Sequence, residues 1–142
     1  MCASSRSRTS ISKSFLVRSW GSSERLACVT AGRRALGARG ESLAARWYET
    51  NGYRVIDRNW RCRTGEIDIV AQTGVTIVFV EVKTRSSDAY GSPAAAVTPT
   101  KQRRLRSLAI EWLRANEVHG ASLRFDVACV IGNQIEVLEA AF

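Results

Sequence analysis

The sequence predicts an α/β domain with elements in the order α-β-β-β-α-β. Three observations carry this. Apolar residues recur at helical spacing in two separate stretches, residues 34–51 and 99–113. Three strand-like stretches lie between them, and a fourth, Leu123 to Ile131, follows the second helix. Two of the middle strands, spanning Gly65 to Arg85, are joined by a short turn and carry acids among core residues.

In the first helix Leu36, Gly40, Leu43, Ala44, Trp47 and Asn51 recur at spacings of three and four, and Gly52 is a natural stop. Glu41 falls beside this stripe. Gly37 and Gly40 each cost about 1 kcal/mol relative to Ala inside a helix. Close packing against a neighbour, or a frayed first turn, accounts for them.

Tyr53 to Arg58 reads as the first strand, and Asn59 to Arg63 leads into the hairpin. Trp60, flanked by arginines, can stack a base; such a Trp more commonly belongs to the core. In the hairpin Glu66 and Asp68 share one face, and so do Glu81 and Lys83, because a strand repeats every two residues. The opposite face of the second strand, Val78, Val80 and Val82, is core material. The turn centres on Thr73-Gly74, and two registers are open. A two-residue loop opposes Glu66 to Glu81. A four-residue loop, Thr73 to Thr76, opposes Asp68 to Glu81. Either sets like charges across the ladder, which is destabilising. A divalent cation would resolve the conflict, since hard cations prefer carboxylate oxygens, and Lys83 would neutralise part of it. Glu66 is a second acid at the site or a partner for a nearby arginine.

Arg85 to Val97 is a loop by composition. Thr98 as N-cap and Pro99 at the first position open the second helix. Leu105, Leu108, Ala109, Trp112 and Leu113 form its buried stripe, and Lys101 lies near the start of that stripe, facing the acids or solvent. In the last long strand Leu123, Phe125, Val127, Cys129 and Ile131 share a face, with Asp126 on the other. Gly132-Asn133 turns, and Ile135 to Leu138 can return as a short strand.

The 142 residues, 45% of them apolar, suit one domain with one core. No apolar run reaches the roughly 18 residues of a membrane span, so a soluble chain is expected. The net charge of +8 is uneven: residues 1–40 hold +7 of it. Residues 1–33, rich in Ser and Arg, are expected to form a disordered basic arm ahead of a domain over 34–142. That composition also fits an organellar transit peptide or a start assigned too far upstream, and it would add nonspecific affinity for nucleic acid. Within the domain, basic residues cluster at Arg58, Arg61 and Arg63 and at Lys101, Arg103, Arg104 and Arg106. Each cluster suits phosphate contact or a solvated face. Cys2, Cys28, Cys62 and Cys129 are scattered, with no CxxC and a single histidine, His119, expected in a loop beside Gly120. A Cys/His zinc site and a histidine-based nucleophilic mechanism are therefore discounted. All four cysteines are expected as free thiols in a reducing compartment.

Gly40-Glu41, Gly65-Glu66-Ile67-Asp68, Val80-Glu81-Val82-Lys83, Lys101 and Arg124-Phe125-Asp126, in this order, resemble the YraN family of uncharacterised bacterial proteins. The likeness covers roughly residues 36–130. That family resembles the PD-(D/E)XK nuclease superfamily, near Holliday junction resolvases, although Ile67 stands where the superfamily's name has proline. The resemblance implies a restriction-endonuclease-like core with a central mixed sheet flanked by helices. It implies a Mg²⁺- or Mn²⁺-dependent nuclease acting on DNA, with branched or structured DNA in view. Asp68 and Glu81 would hold the metal, joined by Glu41 directly or through water and by the Val82 carbonyl. Lys83 would orient or deprotonate the attacking water. Lys101, Arg61, Arg63, Arg85 and Arg104 would contact nucleic acid. A homodimer and a cytoplasmic location away from membranes are expected. Some members of the superfamily have lost catalysis. A non-catalytic nucleic-acid-binding module therefore stands as an alternative, and so does a protein-interaction role in which the acids meet partner arginines.

Overall fold

The computed structural model describes the backbone of residues 22–86 and 97–142, with side chains from residue 31 onward. The elements are α1 (Ser22–Thr50), β1 (Arg54–Cys62), β2 (Gly65–Thr73), β3 (Thr76–Arg85), α2 (Pro99–Ala115), β4 (Ser122–Ile131) and β5 (Gln134–Leu138). The expected order is present, and the short last strand forms. The five strands make one sheet in the order β1-β2-β3-β4-β5. Only β3 and β4 run parallel, so the sheet is mixed. This is the α/β architecture expected of a restriction-endonuclease-like core.

Helix α1 begins at Ser22, well ahead of residue 34, so helical backbone covers part of the stretch assigned to the arm. Arg, Leu and Ala, which dominate residues 25–36, are good helix formers. Residues 1–21 lie outside the described residues, and so do residues 87–96 of the expected loop.

The helices cover opposite faces of the sheet. On one, Leu105, Leu108, Ala109 and Trp112 of α2 pack against Ile67, Val70, Ile77, Phe79 and Phe125. Trp60 packs against this same cluster, so its role is core cover. Asp57 ties β1 to α2 by accepting from Trp112 Nε1 at 2.8 Å. On the other face, Ala44, Ala45 and Tyr48 of α1 pack against Ile69, Ala71, Val78, Val80 and Ala128. Burial on both sides explains why β4 is buried continuously from Phe125 to Val130, where alternation had suggested a one-sided strand. Leu123, placed with the apolar face, is 42% exposed at the strand's start.

The start of α2 is as expected: Thr98 is the N-cap, its side chain accepting from Lys101 N, and Pro99 follows. The hairpin turn is Gly74-Val75, one residue later than expected, because Thr73 pairs with Thr76. Gly74 takes a φ of 55°, which suits the first position of a two-residue hairpin loop.

One buried polar network joins distant parts of the chain. Asp126 is fully buried on β4. It accepts from Tyr48 Oη at 2.7 Å, from Arg124 Nε and Nη2 at 2.9 and 2.8 Å, and from Ala140 N at 3.0 Å. Arg124 also reaches Tyr53 Oη at 3.0 Å and Glu139 at 3.3 Å. Burial, then the Asp126 carboxylate, holds the Tyr48 phenol well above its ordinary pKa, so it stays a donor. Removing one member of such a buried pair typically costs about 3–5 kcal/mol. The network fixes α1 to β4 and to the chain's C-terminal residues.

A second constraint seats α1 on β3. A Cβ at Gly40 would lie 2.0 Å from Thr84 Oγ1 and 3.2 Å from Thr84 Cβ. Close packing, not fraying, therefore accounts for this glycine. Gly40→Ala is expected to destabilise the fold by about 1–3 kcal/mol through overpacking, despite alanine's better helix propensity. Adding Thr84→Ala should recover part of the loss in thermal denaturation. A Gly40→Ala protein more stable than wild type would contradict this packing.

Candidate active site

The site forms where β2 and β3 part. Their ladder runs from Thr73↔Thr76 to Ile69↔Val80 and stops there. The next rung of that register would oppose Asp68 to Glu81, the second of the two registers open to sequence reasoning. Like charges directly opposed would weaken a ladder. Instead Val82 N donates to Asp68 Oδ2 at 2.7 Å, so a carboxylate takes the N–H that the β2 backbone leaves unmet.

Asp68 borders two clefts. The α2-side cleft, of about 160 Å³, is lined by Glu66, Asp68, Glu81, Lys101, Arg104 and Leu105, with Leu108 behind them. The α1-side cleft, of about 310 Å³, is lined by Glu41, Asp68, Val82, Lys83 and Thr84, together with Arg33, Leu36 and Gly37. A third cleft, of about 380 Å³, joins the first through Glu66 and Arg104 and adds Arg61, Arg63 and Thr64.

The four residues expected to carry the chemistry are thus brought to one fork of the sheet, with Glu41 and Glu81 in different clefts and Asp68 common to both. Lys83 Nζ donates to Glu81 Oε1 along β3. The Asp68 carboxyl is raised to about 7: burial is the main cause, the charges of Glu81 and Glu41 add to it, and the Val82 N–H and Lys83 oppose it. Burial, more than the neighbouring carboxylates, is what disfavours the charged form of Asp68. Glu66 fills both roles foreseen for it: it lines the cleft and pairs with Arg61 at 3.1 Å, on the exposed rim.

The expected nucleic-acid contacts separate. Lys101 and Arg104, three apart on α2, both reach the acid-bearing cleft. Arg104 also donates to Thr64 O at 3.2 Å, packed so closely on Gly65 that a Cβ there would meet it at 2.7 Å. Arg61 and Arg63 line the adjoining cleft. Arg85 ends β3 beside Ile131 and does not line these three clefts. Arg103 bonds Thr100 and Arg106 lies over the Phe125 and Phe142 rings, so neither joins the site. Sequence reasoning missed Arg33, which fell within the supposed arm; the signal was its spacing of three and four from Leu36 and Gly37. It also missed Tyr48, one helical turn after Ala44. His119 is exposed, Cys129 is buried, and Cys62 and Cys129 are free thiols.

Among the described residues, no three Asp, Glu, His or Cys side chains are gathered into a cation cage. Magnesium asks for less, typically one or two carboxylates with waters and substrate oxygens. Asp68 and Glu81, two carboxylates lining one cleft, fit that donor set.

The raised Asp68 pKa has a consequence for stability. The folded value, about 7, lies above the unfolded value of about 3.9. Folding therefore disfavours ionisation, and stability falls as pH rises from about 4 to about 7. Asp68→Asn keeps an acceptor for Val82 N without the charge. Without divalent metal, it is expected to melt roughly 2–5 °C above wild type at about pH 8. The gap should close towards pH 4, and equal melting at both pH values would contradict the reading. Magnesium should raise the wild-type Tm and leave that of the variant unmoved.

The chain has close relatives. A protein of Rhodococcus opacus is 55% identical over 113 residues, covering 76% of this chain and 96% of its own. Similar proteins of Beutenbergia cavernae and Geobacter sulfurreducens are 54% and 53% identical over 97 residues, each covering 68% of this chain, with 82% and 76% of their own lengths matched. All three are named only as UPF0102 proteins. The matched family pattern spans residues 40–130, from the glycine that seats α1 on β3 to the end of β4. The chain belongs to the uncharacterised protein family UPF0102.

Proposed function

We propose that this protein is a metal-dependent nuclease that hydrolyses DNA phosphodiester bonds in the cytoplasm. The observation that carries the reading is the α2-side cleft, where Asp68 and Glu81 stand with Lys101 and Arg104. Two carboxylates alone would repel a phosphodiester, and two cations alone would bind it without acting on it. Together they suit an anion held beside a divalent cation.

Asp68 and Glu81 would hold Mg²⁺ or Mn²⁺, which when bound neutralises phosphate charge and activates water. The remaining work belongs to side chains. The Val82 N–H fixes one oxygen of Asp68 and leaves the other for the cleft. Lys83, bonded to Glu81, orients that carboxylate and sets an ammonium beside the place of the attacking water. Glu41, across Asp68, acts through water and through its charge. Lys101 and Arg104 neutralise the phosphate on the α2 side, and Arg61 and Arg63 extend the basic surface along the adjoining cleft.

The Lys83–Glu81 bond favours one rival reading. With Glu81 already neutralised, the fold would serve as a nucleic-acid-binding module without turnover.

Cleavage of linear, nicked and branched DNA, assayed across divalent metals, separates the two. Asp68→Ala and Glu81→Ala are expected to lose cleavage while remaining folded by circular dichroism. Glu41→Gln should lose about 10- to 100-fold, as outer-shell partners of a metal do. Cleavage that survives Glu81→Ala sinks the nuclease mechanism, and salt-sensitive binding without cleavage under any metal supports the rival.

A further inference from the structure

Helix α1 runs from Ser22, but the family pattern starts at residue 40. The preceding part is basic: residues 25–40 hold Arg25, Arg33, Arg34 and Arg39 and no acid. Residues from Ala31 to Arg39 are exposed except half-buried Gly37. This overhang is nevertheless part of the site's wall. Arg33, Leu36 and Gly37 lie on one helix face and line the cleft that holds Glu41, Asp68 and Lys83.

The charges in that cleft are specific. Two carboxylates, Glu41 and Asp68, meet two cations, Lys83 and Arg33. Lys83 is bonded to Glu81. Arg33 has no ion-pair partner among the described residues. Arg39 reaches Asn133 Oδ1 at the turn between β4 and β5, and Arg34 does not line the cleft.

We propose that this overhang is a substrate-binding wall. In it Arg33 takes a backbone phosphate of nucleic acid on the opposite side of Asp68 from Lys101 and Arg104. The identity of the anion rests on the nuclease reading above. A strand laid across Asp68 places phosphates in both clefts. On the α2 side they meet Lys101 and Arg104. On the α1 side a neighbouring phosphate would face Glu41 and Asp68, and a guanidinium is needed against that repulsion. Arginine suits the task, since its planar fork bonds two phosphate oxygens and keeps its charge at all working pH values. The wall lies ahead of the matched family pattern, which begins at residue 40.

The test is binding, not cleavage. Full-length protein is titrated with fluorescein-labelled DNA in calcium buffer at several salt concentrations, as wild type, Arg33→Ala and Arg34→Ala. Both substitutions keep helix propensity, and circular dichroism checks the fold. Arg33→Ala is expected to weaken binding severalfold and to lower the slope of log K against log salt by about 0.9, one phosphate contact. Arg34→Ala should change the slope by less than half as much. Wild-type slope in Arg33→Ala overturns the inference alone. Equal losses in the two variants also overturn it, showing diffuse basicity rather than a seated phosphate. No DNA binding by wild type overturns the nuclease reading and this inference together.

Discussion

The bond from Val82 N to the Asp68 carboxylate is the point on which the site depends. A sheet strand cannot leave its neighbour without orphaning backbone donors, and an orphaned buried N–H costs about as much as a lost hydrogen bond. Here the β2–β3 ladder ends at Ile69, and the side chain of Asp68, the residue before it, takes the donor that the backbone gives up. The strands can therefore part where two carboxylates would otherwise oppose each other. The parting lets Asp68 border clefts on both sides of the sheet. One interaction thus settles a backbone problem, opens the site and holds its central acid.

The helices are placed to serve that fork. Gly40 lets α1 approach β3 at Thr84, and the next residue, Glu41, is thereby brought to the cleft beside Asp68. Farther along the same helix, Tyr48 is bound to Asp126 on β4, so α1 is fixed at two places. On the opposite face Leu105 and Leu108 bury α2 against the sheet, and Lys101 and Arg104 on the same side of that helix reach the acids. Each wall of the site is thus built on an anchored helix, which keeps charged side chains near one another at a cost met by core packing.

Much of this order was legible from residue types. Thr98-Pro99 starts α2 by chemistry that acts within four residues, and the Leu105 to Trp112 stripe follows helical periodicity. The acids were visible because Asp and Glu are conspicuous in strands otherwise built of Val and Ile. The buried line of α1 was less visible. It is Gly40, Ala44 and Tyr48 at spacings of four; the sequence stripe held Gly40 and Ala44 but ran on to Trp47 and Asn51 and passed over Tyr48. Tyr48 is buried because Asp126, 78 residues away, accepts its hydroxyl, and local pattern carries no trace of that partner. Arg33 was hidden by composition: a basic, serine-rich stretch reads as a tail until the helix through it is seen to pass the acids. The register of the hairpin stayed open between two values until the ladder itself chose the one whose next rung, left unformed, would oppose Asp68 to Glu81.

The central claim is that Asp68 and Glu81 together form a divalent-cation site. Titration calorimetry with Mn²⁺ at about pH 8, above the Asp68 pKa, tests it most directly. The account predicts one saturable site per chain in the wild type, lost in both Asp68→Ala and Glu81→Ala. Undiminished binding in either variant, or none in the folded wild type, would contradict it.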